Sequence, residues 1–321
     1  MTKRIIFIAL MFSQLAFFGS AWAQSDWPSK PIRLILPFPP GGPSDLVARA
    51  VAEKLQISLK QPIVIENKAG AGGNIGSAEV SRAPGDGYTW LFGTDTLVTV
   101  NPHVYQSLGY KLEDLKPVML ASQFSQTLVC NPSVGVRTIA ELVVKAKNTS
   151  LTYASGGAGV PGHLSMELLL ATAGIDMIHV PYKGPAPAMQ DVIGGQVACG
   201  LLAGPTVLPH VRSGRLVALG VSGAQRSPSL PEVPTIAEAG IQKYDASFVL
   251  AFWAPKATPD VLVSRFNQAL AAALKSPDVV ERLLKTDQIV LASSPSEAAT
   301  QLAASSVKWG AVARRIKLGL D

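Results

Sequence analysis

The chain has 321 residues, of which 48% are hydrophobic and 16% are charged, a composition typical of folded globular domains rather than of a disordered chain. The formal net charge of +6 is scattered, with no basic run longer than Arg314-Arg315, so nucleic acid is not expected as a partner. At about 150 residues per domain, the length favours two domains.

Residues 1–23 have the features of a secretory signal peptide. Two basic residues precede an apolar run from Ile5 to Phe18, and the small-residue pattern AWA ends at Ala23. The apolar run is shorter than the about 20 residues that span a bilayer. We therefore expect cleavage after Ala23 and export of the mature chain.

Strands alternate with helices along the rest of the chain. In the first part, strands are predicted over 31–38, 62–67 and 88–95, with helices over 44–59 and in a short segment ending at Arg82. Farther on, the predicted strands are QTLVCNP, LTYAS, MIHVPY, VACGLLAG and LVALGVSG. The predicted helices are TIAELVVKAK, GHLSMELLLATAG, APAMQDVIGGQ, 259–275 and 295–316. This alternation indicates two α/β domains, each with a mostly parallel sheet and helices on both faces.

Three glycine-rich turns each join a predicted strand to a predicted helix. They are PFPPGGPSD (37–45), NKAGAGGNIGS (67–77) and the segment from Ser155 to Gly162. Such turns lie at the carboxyl ends of strands and present helix N–H groups that suit an anion. For the first turn, an alternative stays open in which Asp45 is simply the helix N-cap.

The third turn contains the pattern GxGxxG at Gly157, Gly159 and Gly162. A phosphate-binding P-loop requires a lysine and a hydroxyl residue after the glycines, and none of the three turns has them. Pro161 interrupts the dinucleotide pattern, and an exported protein seldom meets free dinucleotides. We therefore expect no nucleotide and no other cofactor.

Residues for enzyme chemistry are sparse. Ser155 lies outside a GxSxG nucleophile elbow, and His163 with Glu167 is more typical of a surface or interdomain contact than of a metal site. Cys130 and Cys199 are interpreted as two buried free thiols, with a disulfide as the alternative. We expect neither catalysis nor a metal, and an exported hydrolase using Ser155 and His163 remains an alternative.

Six segments form a specific set in their order along the chain. They are WPSKPIRLILPFPPGGPSDLVAR, VIENKAGAGGNIG, GDGYTWLFGT, LTYASGGAGVPGHLSMELL, HVPYKGPAPAMQDVIGGQV and PEVPTIAEAG followed by APKATP. Together they resemble the Bug family of solute receptors, the TctC-like extracytoplasmic binding proteins of tripartite tricarboxylate transporters. The resemblance covers essentially the whole mature chain. It implies a periplasmic protein with a type II periplasmic-binding-protein fold, in which two α/β domains close on a small carboxylate.

By this resemblance, residues 26–123 plus 249–321 form the first domain and residues 124–248 the second. The ligand site is expected on the turns of both domains. In the first domain the predicted site residues are Phe38, Pro39, Gly41, Gly42, Ser44, Asp45, Thr94 and Asp95. In the second they are Ser155, Gly156, Gly157, Gly159, His163, Tyr182, Lys183 and Gly184. The expected partners are a small carboxylate and membrane transporter subunits, the expected state is a monomer, and a periplasmic sensor is the alternative role.

Overall fold

The computed structural model describes residues 27–315 and residue 319, so the predicted signal peptide lies outside the described residues. The strands are β1 (Ile32–Leu36), β2 (Ile63–Asn67), β3 (Thr89–Thr94), β4 (Leu115–Phe124), β5 (Gln126–Cys130), β6 (Thr152–Ser155), β7 (Ile178–Pro181), β8 (Cys199–Ala203), β9 (Val217–Val221), β10 (Phe248–Pro255) and β11 (Gln288–Val290).

The helices are α1 (Pro43–Leu59), α2 (Asn74–Ser81), α3 (Thr96–Thr99), α4 (Asn101–Val104), α5 (Ile139–Asn148), α6 (Pro161–Ala173), α7 (Pro185–Ile193), α8 (Gly204–Arg212), α9 (Asp260–Leu274), α10 (Pro277–Leu284) and α11 (Pro295–Arg315). Short 3₁₀ turns span Ala71–Gly73, Leu112–Asp114 and Pro132–Val134. Within the described part of the chain, no helix combines the length and the apolar character needed to cross a membrane.

The strands form two separate sheets. One has six strands in the order β11-β4-β10-β3-β1-β2, and the other has five in the order β7-β6-β8-β5-β9. The six-stranded sheet therefore takes strands from early and late parts of the chain, whereas the five-stranded sheet is built from its middle. Two α/β units are as expected, and the residue boundaries of the two domains stay a prediction.

The expectation of mostly parallel sheets is wrong. β1 runs parallel to β2 and β3, and β6 runs parallel to β7 and β8. The other pairs, which involve β4, β5, β10 and β11, are antiparallel. A parallel neighbour requires a long crossover, usually a helix. β4 instead continues through Ser125 directly into β5 of the other sheet, so these two strands do not follow the strand-helix-strand pattern.

β10 is a central strand that the sequence pattern does not predict. All eight of its residues are buried, and it pairs with β3 on one side and β4 on the other. A strand buried on both faces shows no alternation of polar and apolar residues. Phe252 of β10 stacks on Phe92 of β3 with ring centroids 4.1 Å apart, so this strand forms part of the core around the six-stranded sheet.

Cys130 and Cys199 form a disulfide, and the interpretation as free thiols is therefore wrong. The reason is the strand register, because β5 and β8 are neighbours and the two cysteines lie directly opposite each other. Their Cα atoms are 4.0 Å apart, and both side chains are fully buried. The bond links two adjacent strands of the five-stranded sheet.

Candidate functional site

The first glycine turn connects β1 to α1. Gly41 has a φ of 82°, in the left-handed region that favours glycine, and Pro39 and Gly41 are exposed. Gly42 is the N-cap of α1 and makes no side-chain cap. Since the first N–H groups of a helix have no acceptor within it, the start of α1 suits an anion.

Asp45 lies inside the first turn of α1, two residues after its first residue Pro43. Its carboxylate accepts the N–H of Gly41 at 3.1 Å and pairs with Arg49 at 2.9 and 3.0 Å. Burial would raise the pKa of Asp45, but the hydrogen bonds from Arg49 and Gly41 outweigh it, so the pKa is lowered. The alternative of an Asp45 N-cap is therefore wrong, and Asp45 holds the turn from inside.

Phe38 connects the first turn to the second glycine turn. A Cβ atom added to Gly73 would lie 3.3 Å from Cζ of Phe38, and one added to Gly93 would lie 3.3 Å from its Cε2. Asn67 Nδ2 also donates to the carbonyl of Phe38 at 2.9 Å. The second turn was not among the predicted site residues, although its glycines were noted. The structure places it beside Phe38, on the same surface as the first turn.

Thr94 and Asp95, at the end of β3, are buried. Thr94 Oγ1 hydrogen-bonds Thr96 Oγ1 at 2.5 Å, and Asp95 Oδ1 accepts the N–H of Val249 at 3.4 Å. The Asp95 side chain is 1% exposed, and this burial raises its pKa to about 7. The Asp95 carboxyl therefore lies against β10, where it contacts the backbone of Val249 beneath the candidate site. Ser44, in the first turn of α1, is buried as well.

The third glycine turn connects β6 to α6. Ser155 Oγ donates to the carbonyl of Gly157 at 2.8 Å and accepts the N–H of the same residue at 3.2 Å. Gly157 and Gly159 have φ values of 142° and 74°, which favour glycine. α6 follows Val160 without a side-chain cap. This helix start therefore resembles that of α1 in offering unpaired N–H groups.

The turn after β7 lies against the third glycine turn. The N–H of Tyr182 donates to the carbonyl of Ser155 at 3.0 Å, and the N–H of Gly184 donates to that of Gly156, also at 3.0 Å. Lys183, between them, is exposed. The structure thus brings the predicted second-domain residues together at one edge of the five-stranded sheet, with the Lys183 side chain at the surface.

Two histidines lie beneath the third turn, and the sequence reading had singled out only His163. His163 Nδ1 accepts the N–H of Gly159 at 3.0 Å, and His179 Nε2 is 2.7 Å from Ser155 Oγ. Burial, with a contribution from His179, lowers the pKa of His163 to about 3. Burial also lowers the pKa of His179 to about 4. Both rings are therefore neutral at pH 7 and serve as hydrogen-bonding groups.

Glu167, which is partly exposed, contacts this cluster. Its Oε1 accepts the hydroxyl of Tyr153 at 2.5 Å and lies 3.7 Å from His163 Nε2. Of the two kinds of contact expected for His163 and Glu167, the surface contact is wrong, because His163 is buried and this face of α6 packs beside β6. The interdomain contact stays a prediction. The hydrolase alternative paired Ser155 with His163. In the structure Ser155 contacts His179, and His163 contacts the backbone N–H of Gly159.

His179 can be linked to the third glycine turn only through the pairing of β6 with β7. β6 and β7 are parallel neighbours, and Tyr153 lies directly opposite His179, with the two rings stacked at 4.8 Å. Among the described residues, no group of three or more histidine, cysteine, aspartate or glutamate side chains is arranged to hold a metal ion. The turns of the candidate site present backbone N–H groups and contact the buried side chains of Asp45, Ser155 and His163.

Comparisons with known proteins show the family of the chain. The family model described as tripartite tricarboxylate transporter family receptor, TctC, matches residues 47–318. The protein BugT of Bordetella pertussis is 35% identical over 97% of this chain and 97% of its own length.

Three solved structures have a similar fold. The periplasmic binding protein BugD has 31% identity and a TM-score of 0.83, covering 91% of this chain and 99% of BugD. Rpa4515 of R. palustris with adipate has 33% identity and a TM-score of 0.85, covering 90% and 98%. MatC of Rhodopseudomonas palustris with bound malate has 28% identity and a TM-score of 0.81, covering 89% and 99%. The chain therefore belongs to the TctC family of tripartite tricarboxylate transporter receptors and has the periplasmic-binding-protein fold.

Proposed function

We propose that the protein captures a small carboxylate between two lobes and passes it to the membrane subunits of a tripartite tricarboxylate-type transporter. The observation that carries this proposal is a pair of helix starts. α1 and α6 each follow a glycine turn at the carboxyl end of a strand, and neither has a side-chain cap. Uncapped helix starts leave donors for an anion.

The two lobes of this proposal are residues 26–123 plus 249–321 and residues 124–248. The first glycine turn belongs to the first lobe, and the third glycine turn with the turn after β7 belongs to the second. A carboxylate held by both would link the lobes, as expected for a receptor that closes on its ligand. We further propose that the mature protein begins after Ala23, acts as a monomer and catalyses no reaction.

Backbone donors are sufficient for useful affinity. A hydrogen bond to a charged group contributes about 1.5–3 kcal/mol, and the helix macrodipole adds about 0.3–2 kcal/mol, depending on burial. A few such contacts reach the roughly 8 kcal/mol that corresponds to micromolar binding. A lysine or arginine in direct contact with the ligand is therefore not required.

The relatives support a carboxylate as the ligand class. Rpa4515 was solved with adipate and MatC with malate, and both are dicarboxylates. Backbone N–H groups recognise any carboxylate, so the choice among carboxylates depends on side chains farther along the ligand. The proposal accordingly extends to the class and not to one compound.

A ligand screen tests the proposal. We expect adipate, malate, succinate, citrate or benzoate to raise the thermal unfolding midpoint, because a ligand that binds only the folded state stabilises it. Titration calorimetry then measures the affinity of the best of them. Glucose and putrescine serve as neutral and cationic controls. Stabilisation by a control compound and by none of the carboxylates would overturn the proposal.

A further inference from the structure

The hydrogen bonds of Ser155 determine which nitrogen of His179 carries a proton. A serine hydroxyl has one proton and two lone pairs. Its proton goes to the carbonyl of Gly157, and one lone pair accepts the N–H of Gly157. The remaining contact, at 2.7 Å, is with His179 Nε2. With the hydroxyl proton assigned to the carbonyl of Gly157, Nε2 is the donor in this contact, and we assign neutral His179 as the Nε2–H tautomer.

This arrangement orients the peptide between Gly157 and Ala158. The peptide is trans, and the C=O and N–H of a trans peptide point in opposite directions. Ser155 is fully buried and holds the carbonyl of Gly157 inward. The N–H of Ala158 therefore points outward, and Ala158 itself is partly exposed.

The next peptide is oriented in the opposite sense. The N–H of Gly159 points inward to His163 Nδ1, so the carbonyl of Ala158 points outward. The N–H groups of Gly157 and Gly159 are both occupied by buried acceptors. Between these two glycines, Ala158 thus supplies the outward donor of the turn, together with an outward acceptor for a water or a ligand hydroxyl.

We propose that the N–H of Ala158 binds the ligand carboxylate and that His179 is the positioning residue that aims it, through the Ser155 hydroxyl and the Gly157 carbonyl. This inference rests on the proposed carboxylate-binding function. Without the hydrogen bond from His179, the Ser155 side chain is no longer fixed in the orientation that donates to the Gly157 carbonyl. Release of that carbonyl lets the peptide rotate. The role of His179 is thus preorganisation of a donor, which lowers the cost of ordering the turn on binding.

Four variants test the chain of contacts by calorimetry, with the tightest-binding carboxylate of the screen above as the probe. His179→Phe keeps a flat ring for the stack and removes the donor, Ser155→Ala removes the hydroxyl, and the double variant removes both. We expect each single variant to weaken binding about tenfold and the double variant to weaken it no further, because the groups act in series. His179→Gln supplies an amide N–H near the position of Nε2 and is expected to restore most of the affinity.

A purely structural role of His179 would lower the unfolding midpoint of the His179→Phe variant and leave its affinity unchanged. That result would overturn the inference, as would a double variant whose loss equals the product of the single losses. If His179→Phe does not fold, the affinity of Ser155→Ala is the deciding measurement. A wild-type affinity of Ser155→Ala would overturn the inference. A wild-type protein that binds none of the carboxylates would instead overturn the proposed function itself.

An amide spectrum gives an independent readout on the wild-type protein. With ¹⁵N-labelled alanine, the signal of Ala158 is assigned by its disappearance in Ala158→Gly. We expect the saturating carboxylate probe to move this signal downfield, as a new charge-assisted hydrogen bond requires. A signal of Ala158 that stays in place while the carboxylate binds would overturn the inference.

Discussion

His163 on α6 and His179 on β7 stack face to face, with ring centroids 4.0 Å apart and planes inclined by 9°. Each ring makes a hydrogen bond to the third glycine turn, His163 to the N–H of Gly159 and His179 to Ser155 Oγ. Two charged imidazoles at this distance would repel each other, so at least one ring must be neutral, and burial keeps both neutral at pH 7. The stability that these two histidines give to the turn is therefore expected to depend on pH.

Stability is expected to fall when the pH drops below about 6.5. Burial lowers the folded-state pKa of His163 to about 3 and that of His179 to about 4, whereas an unfolded histidine has a pKa of about 6.5. The unfolded chain thus binds protons first, and the free energy of unfolding decreases by up to about 1.4 kcal/mol per pH unit for each histidine. Urea unfolding between about pH 7 and about pH 5 measures the slope.

His179→Gln is the matched control, because it removes one of the two titrating groups. Its free energy of unfolding should depend less steeply on pH than that of the wild type. The raised pKa of Asp95 acts in the opposite direction, because the folded protein binds this proton at a higher pH than the unfolded chain does and is stabilised as the pH falls. This contribution is the same in the wild type and in His179→Gln. Equal slopes in the two proteins would contradict this account of the histidine pair.

Removal of the disulfide is expected to destabilise the protein without changing its ligand. Cys130 and Cys199 are 69 residues apart in sequence, and closing a loop of that length stabilises the folded state by about 4 kcal/mol in the chain-entropy description. We expect the Cys130→Ala/Cys199→Ala variant to lose about 2–5 kcal/mol in denaturant unfolding. Unfolding midpoints that are the same for oxidised wild type, reduced wild type and the double variant would refute this expectation.

Gly42→Val is expected to fold but to bind poorly. A Cβ atom at Gly42 would meet only the carbonyl of Pro39, at 3.8 Å, and the φ of −81° is accessible to any residue. A larger side chain at this N-cap costs about 1 kcal/mol of stability, while it covers the first N–H groups of α1. We expect at least about a tenfold loss of carboxylate affinity, measured by calorimetry.

Gly194→Ala is the control for Gly42→Val. Gly194 has a φ of −72° at the C-terminal end of α7, and its added Cβ would lie 3.4 Å from the carbonyl of Gln190. The start of α7, at Gly184, is the end that lies at the candidate site. We expect wild-type affinity in Gly194→Ala. Wild-type affinity in Gly42→Val would remove the first turn from the site.

Substitutions at Asp45 separate its charge from its hydrogen bond. Asp45→Ala loses both the pair with Arg49 and the bond to Gly41, so we expect a loss of about 1–3 kcal/mol in unfolding free energy and weaker binding. Asp45→Asn keeps an acceptor for the N–H of Gly41 and should bind better than Asp45→Ala. An affinity for carboxylates that is lower in Asp45→Asn than in Asp45→Ala would show that Asp45 does not act by holding the turn.

The glycine turns were predictable because they depend on local chemistry. Gly41, Gly157 and Gly159 all adopt positive φ values, and the sequence reading had placed each of them between a strand and a helix. The start of α1 was also correct within a residue. Resemblance to a known family, rather than periodicity, led to the prediction that the first domain is built from distant parts of the chain.

The side chains that support the turns were not predictable in the same way. His179 is a single histidine in a strand, and its partner Ser155 precedes it on another strand, so only the register of β6 and β7 shows the contact. The disulfide likewise depends on the register of β5 and β8. Asp45 was misassigned as a possible cap because an acidic residue at a helix start serves either as the cap or, as here, inside the first turn.

The position of β10 has a consequence for the order in which the two sheets can form. β10 lies between β3 and β4 in the six-stranded sheet, so that sheet cannot close until residues 248–255 have emerged. All strands of the five-stranded sheet lie within residues 126–221, and that sheet has its complete set of strands earlier. If the chain appears N-terminus first, β3 has an unpaired edge until β10 arrives. In that period the incompletely folded chain is most exposed to aggregation.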